Sequence, residues 1–465
     1  MSAVVAGRGG VRLDEGGIAG HLVALSLPMV WGILAMIAYN VADTFFVARL
    51  GTAPLAALSF TFPVVMTIFS LALGLGIGTA SVISRTVGRG DHEAVRRLTT
   101  DSLWLSMAVV LVFMIAGLAT IEPLFGLLGA GEQTLPLIID YMQIWYLGAP
   151  FVIVPMIANN AMRACGNARL PSYIMIGSAA LNFVLDPLFI FGLGPVPGLG
   201  IQGAAIASLI ARFAGLVLAL LALHYRMGLI VWAWPRWSQL LESARQVALI
   251  ALPAAATNMV NPIAVAVVTA VVAWYGPEAV AGFGVATRIE AISVVPLLAL
   301  TAGLGPFIGQ NWGAERADRV RAALRIAALF CLVWGAAVAV LLWWSAPAIV
   351  GLFGAGQATA DTAIVYLRLV PASFAAYGVL ICVNAAFNAM GRPVVATGLM
   401  LGRTFALFVP LAALGGWLVG LWAVFAAAGL ANVLLGLVAY GLGQRALVPE
   451  GRIAAARLAL GPARR

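Results

Sequence analysis

From Pro28 onward the chain repeats itself at a fixed offset of 225 positions. Pro28, Gly51, Gly88, Gly129, Tyr141 and Gly166 recur as Pro253, Gly276, Gly313, Gly354, Tyr366 and Gly391, with no gap between the first anchor and the last. Between them, FGLLGAGEQ at 125–133 lies over VGLFGAGQA at 350–358. A chain written twice folds as two similar units, so the period constrains every later assignment.

Each unit is written for a lipid environment. Hydrophobic residues make up 63% of 465 and charged residues 9%, with a mean hydropathy of +1.04, outside the range of soluble domains. Apolar stretches long enough to cross a core about 30 Å thick fall at 21–48, 53–83, 99–126, 134–160, 170–193 and 199–223 in the first copy. The second copy gives 244–275, 279–309, 322–354, 360–386, 393–415 and 416–443. The expected fold is an all-α integral membrane protein of twelve transmembrane helices in two six-helix lobes. Its divisions are an N-terminal arm (1–20), a first lobe (21–225), a linker (226–243), a second lobe (244–443) and a basic tail (444–465).

All 26 basic residues are Arg, and they gather on alternate loops: Arg85, Arg89, Arg96 and Arg97 after span two, Arg163 and Arg169 after span four, Arg316, Arg319 and Arg321 after span eight. The opposite loops carry acids such as Glu122, Glu132, Glu278 and Asp361. This positive-inside bias places both termini of a multi-pass membrane protein in the cytoplasm. An even number of spans per copy gives the lobes the same orientation, related by an axis along the membrane normal.

The net charge of +9 is accounted for by this topology and not by nucleic acid. Three scattered Cys without a CxxC, and three His without an HxxxH, indicate neither a disulfide framework nor a zinc site. The first twenty residues lack the apolar segment of a signal peptide. No organic cofactor and no obligate protein partner is implied, and membrane lipids are expected partners.

An ionisable group at membrane depth costs roughly 2.5–3.5 kcal/mol on insertion, so each one calls for a reason. Asp43, near the outer end of span one, shares a helical stripe with Met36, Tyr39 and Asn40. Fifteen residues earlier Pro28 removes a backbone hydrogen bond and offers a hinge. In span five Asp186 follows Asn182 by one turn and precedes Pro187, an oxygen-rich face suited to a proton or a small hard cation. The offset carries Asp43, Asn182 and Asp186 onto Val268, Leu407 and Leu411: the scaffold is duplicated and the acids are not. Function is therefore expected in the first lobe. Asn159, Asn160 and Ser208 add neutral oxygens there, and Arg212, Arg288, Glu290 and Arg403 also lie at membrane depth, with Arg288 expected to pair with Glu290.

The two six-span halves, the loops ending in VGRGD and GQNWGA, and NFVLDP in span five resemble the multidrug and toxic compound extrusion (MATE) family, from about residue 20 to 445. Pro28 with Asp43, Asn182 with Asp186, and IGQNWGA at 308–314 are similar to its DinF-like branch. The resemblance implies an ion-linked cluster of Tyr39, Asp43, Asn182 and Asp186, with Asn159 and Ser208 as further members and Pro28 as the bend. The acids that NorM-like relatives carry in spans seven and ten are missing: Asn261 stands at the span-seven position and 369–391 holds none.

The activity the resemblance implies is secondary antiport across a bacterial inner membrane, a small drug-like molecule, lipophilic or cationic, leaving in exchange for inward protons or sodium, the latter at Asp43, Asn182 and Asp186. Met36, Asn40, Phe60, Met156, Asn160, Asn261 and Glu290 are the expected cavity residues. The alternatives are a flippase for a lipid-linked saccharide, for which Arg212, Arg288 and Arg403 would meet the pyrophosphate, and an intramembrane aspartyl enzyme. The latter wants a GxGD context that VAD at 41–43 and VLDP at 184–187 lack, so no catalytic activity is expected.

Overall fold

The computed structural model describes residues 10–446 apart from 133, 193–196, 232–235 and 355. The start of the arm, the middle of the linker and nearly all of the basic tail lie outside the described residues. Those described are helical, with no strand.

Span one is a single helix, Ile18–Ala48, and span two runs from Thr52 to Arg89. The rest of the first lobe comprises His92–Leu127, Leu135–Ala164, Arg169–Phe191 and Gly200–Arg226. The second lobe follows the same order: Trp237–Tyr275, a bent pair, Ala317–Gly351, Gln357–Ala389, Pro393–Leu418 and Leu421–Arg445. The bent pair, Pro277–Ser293 and Val295–Gly313, turns by 43°. Counted as one span, it brings the total to twelve. The bend coincides with Pro296 in the first turn of its second helix, where the missing N–H leaves the ladder interrupted. Span eleven widens into a π-helical segment at Gly402–Phe408.

The repeated anchors have physical causes. Gly51, Gly129 and Gly166, with their counterparts Gly276, Gly354 and Gly391, all sit at helix ends with φ between 61° and 116°. A side chain there would strain the turn. Pro28 and Pro253 each present a carbonyl to a hydroxyl on a neighbouring span, Ser172 in one lobe and Thr397 in the other, residues that are themselves one offset apart.

Gly88 and Gly313 lie where the lobes meet. A Cβ on Gly88 would fall 2.0 Å from the carbonyl oxygen of Gln310, and one on Gly313 would fall 2.1 Å from that of Arg85. The same offset relates Arg85 to Gln310, so the two contacts are reciprocal across the pseudo-two-fold. Gly74 and Gly78 likewise admit the backbone of span seven, where a Cβ would fall 2.5 Å from the carbonyl oxygen of Ala251 and 2.7 Å from that of Val247. Small residues let helix backbones approach, the usual device for packing within lipid.

This seam joins the lobes at the end of the molecule that carries both described chain ends. The arm seals it. Val11 N donates to Cys165 O (3.0 Å), Leu13 N to Gln310 Oε1 (2.9 Å), and Asn311 Nδ2 to Leu13 O (3.1 Å). Arg319 binds the carbonyls of Leu13, Glu15 and Gly16 at 2.9–3.2 Å. Leu13 is 1% exposed, and Gln310 reaches across to Ala164 O at 2.9 Å. At the opposite end the outer half of span eight packs against spans seven and ten, and that of span four against spans two, three and six, each within its own lobe.

Candidate functional site

Spans one, five and six pack together, and their polar residues meet near the outer end of span one. Tyr39 Oη and Ser208 Oγ share a hydrogen bond of 2.6 Å, and Asn182 Nδ2 donates to Asp186 Oδ1 at 2.9 Å. Tyr39 is 5% exposed, and Asn182 and Asp186 are fully buried. Asp43 lies within electrostatic reach of Asp186, and Arg212 within reach of Asp43, Tyr39 and Tyr141. The Arg212 guanidinium stands 5.7 Å from the centre of the Tyr39 ring. Asp43 Oδ1, Asn182 Oδ1 and Asp186 Oδ2 are buried and accept no hydrogen bond from the described residues. Buried acceptors are nearly always satisfied, so three orphans within one cluster are chemically able to take up a proton or a cation that binds oxygen.

Beneath this cluster, between the lobes, lies a cavity of about 610 Å³. Met29, Ile33 and Met36 line it from span one, at the spacing of one helical face directly after Pro28. Its floor is the seam, where Ser81 Oγ donates to Asn388 O across the lobes at 2.6 Å. Asparagines supply much of the polarity, and two arginines enter, Arg163 at the floor and Arg212 midway up. The described lining holds no carboxylate.

The placement revises several sequence expectations. Asp43, Asn182 and Asp186 stand above the cavity and do not line it, because the seven residues from Met36 to Asp43 rise about 10 Å along the helix. Met156, Asn159, Asn160 and Asn261 do line it, with Met36. Asn159 is therefore a cavity residue and not a member of the cluster, whereas Ser208 joins the cluster through Tyr39. Asn40 is exposed and gives its amide to Met36 O, since it lies 100° around the helix from Tyr39. Phe60 packs in the first-lobe core.

Glu290 accepts from Tyr366, on the second-lobe side, and lies within electrostatic reach of Arg403. Arg288, two residues away and so pointing to another face, is exposed. Arg403 in turn binds Asn432 Oδ1 at 2.6 Å. Arg163, which the loop-charge reading assigns to a connection, belongs to the last turn of span four and turns inward. Tyr141 and Arg212 complete the cluster. Arg212 was legible as an arginine in an apolar span, but its link between cavity and carboxylates was not.

Comparison with known proteins agrees with this architecture. The family model MatE matches twice, at residues 28–188 and 253–414, one match in each copy of the repeat. The FAD transporter of Shewanella oneidensis is 38% identical over 92% of this chain and 95% of its own length. The multidrug export protein MepA of Staphylococcus aureus is 26% identical over 93% of this chain and 96% of its own. A crystal structure of the Vibrio cholerae MATE transporter VcmN superposes with a TM-score of 0.88 at 30% identity, covering 92% of this chain and 97% of that one.

Proposed function

We propose, on the premise that the chain belongs to the MatE family of efflux transporters, which are not enzymes, that it exports organic guests in exchange for protons or sodium ions bound at the first-lobe cluster. The observation that carries this reading is the set of three buried oxygens without donors at Asp43, Asn182 and Asp186. A cation or proton arriving there neutralises carboxylates that are otherwise costly to hold charged within lipid. The location of these acids in the first lobe also favours the DinF-like branch.

The coupling step follows from span one. Pro28 precedes the three residues through which this helix lines the cavity, so a bend there sweeps Met29, Ile33 and Met36 into the guest's space. Ion and guest then exclude each other by volume and need not compete for one charge. With both termini in the cytoplasm of a bacterial inner membrane, the seam closes the inner side and the cavity faces outward. The exchange of access is a rocking of the two lobes.

The lining does not favour the cationic guest expected from sequence. Two guanidiniums without a carboxylate suit an organic anion, and the apolar walls suit a ring system. A flavin dinucleotide, the substrate named for the Shewanella oneidensis relative, combines both. The lipophilic compounds implied by the name of MepA are the second reading, supported by Met36, Met156 and Phe69 in the walls.

The test is counterflow in proteoliposomes loaded with FAD or ethidium, with proton and sodium gradients imposed separately. Export should follow one gradient in the wild type and vanish in Asp43→Asn. Gradient-driven export that survives in Asp43→Asn would remove the cluster from the mechanism.

A further inference from the structure

Arg163 is a cation without a counter-charge. Its Nη2 donates to Asn160 Oδ1 at 2.7 Å and its Nη1 approaches Met29 Sδ at 3.7 Å. No salt bridge includes it among the described residues, and no other charged side chain acts on it electrostatically. An arginine in the last turn of a span ordinarily extends its head outward to water. This one is half-buried and turned into the cavity floor. A guanidinium held at membrane depth with only an amide and a thioether for company is costly, and such groups mark ligand pathways.

Two acceptors in the same cavity lack any hydrogen-bond partner among the described residues. Asn159 Oδ1 and Asn388 Oδ1 are buried acceptors with no donor. The amide of Asn388 is oriented by its own bond from Nδ2 to Asn384 Oδ1, at 3.0 Å, which leaves the carbonyl oxygen as the free end. Between floor and opening, Phe69, Phe151 and Met156 provide flat and adaptable apolar surface.

We propose that the cavity floor is an oxyanion site centred on Arg163, and that the exported guest is an organic phosphate whose aromatic heterocycle presents N–H donors to Asn159 and Asn388. This deepens the exporter reading and rests on it. Because Arg163 lies against the seam, it is among the first cavity groups that a guest meets once the seam parts, and its phosphate enters foremost. Arg212, higher up and already engaged by the ion cluster, is the less available of the two cations.

The site is tested by equilibrium binding to the purified full-length protein, read by flavin fluorescence, with riboflavin, FMN and FAD as probes sharing one ring and differing in phosphate. FMN and FAD should bind at least about tenfold more tightly than riboflavin, the ratio expected for one charge-assisted phosphate contact. Arg163→Gln should abolish that ratio while leaving riboflavin affinity and melting temperature unchanged, and Arg163→Lys should keep part of it. Equal affinities in the wild type, or an undiminished ratio in a folded Arg163→Gln protein, would overturn the proposal. A competition arm with phosphatidic acid separates the sources of phosphate: displacement of FMN at matched phosphate concentration would assign the site to a lipid headgroup and overturn the soluble guest. Asp43→Asn should bind FMN as the wild type does, so failure of the coupling reading and failure of this one register in different assays.

Discussion

Replacing Gly88 by alanine should drive the molecule toward the state in which the seam is open. The added Cβ would lie 2.0 Å from the Gln310 carbonyl oxygen, about 1.3 Å short of the ~3.3 Å at which carbon and carbonyl oxygen ordinarily meet. The obstacle is main chain within a helix, so no side-chain rotation relieves it. Overpacking of this kind costs about 1–3 kcal/mol, and the cost falls only on the closed seam. The gain of roughly 1 kcal/mol in helix propensity from glycine to alanine is shared by both states and cancels. The closed-to-open ratio should therefore fall by about 5- to 150-fold. Gly313→Ala, the reciprocal contact at 2.1 Å, should give a shift of the same sign and similar size. Gly398→Ala is the control, since a Cβ there meets no atom within 4 Å. Leu127 and Leu352 are 88% and 86% exposed at the far ends of spans three and nine, and cysteines placed there take spin labels. The three native thiols are buried. Double electron–electron resonance should show the distance distribution moving toward shorter values in Gly88→Ala. A lower melting temperature with an unchanged distribution would refute the reasoning, because the strain would then be common to both states.

Tyr39→Phe deletes the hydroxyl that meets Ser208, a bond worth about 1 kcal/mol, so the proposed ion-coupled export should slow several-fold without being lost; complete loss would give Tyr39 a direct part in holding the ion. Arg319→Ala strips the arm of its contacts to Leu13, Glu15 and Gly16, and at about 2 kcal/mol the undocked fraction should rise roughly thirtyfold, measured by proteolysis within residues 10–17. The arm's response to pH follows from Asp14: burial pushes its carboxyl up, but the Arg12 guanidinium, its own backbone N–H and Arg316 together hold it below the ordinary carboxylate value. A lowered value stabilises docking at every pH above the unfolded one, so protection of the arm should be flat from neutral pH down to about 4 and decline below that. Protection lost near neutral pH would point to another group.

The repeat and the apolar runs revealed the spans because a lipid-facing helix must be apolar along its length, and that demand is written locally. The acids were legible for the same reason, each an isolated departure from an apolar background. Contacts between helices were not. Gly88 and Gly313 stood out as a repeated pair, but their purpose appears only when Gln310 and Arg85 are brought against them. Asn40 shows the limit of spacing arguments: a residue three positions from Asp43 shares its stripe only loosely, and its amide turned to the backbone. Arg163 misled because an arginine at a span end reads equally as a topology signal or as a charge turned inward, and only the packing of its last turn separates the two.

The arm that closes the seam has a consequence for how the chain is made. Leu13 leaves the ribosome well ahead of Gln310 and Arg319, which hold it and follow 297 and 306 positions later. Until span eight has been inserted and the loop behind it has formed, residues 11–16 have no complete partner. An element synthesised before either lobe is thus fastened only after much of both has been made, and its capture requires both halves to be inserted and in register. Docking of the arm is in that sense an assembly checkpoint: a chain whose second half is misinserted would leave residues 11–16 loose and open to proteolysis, and a correctly paired one would not.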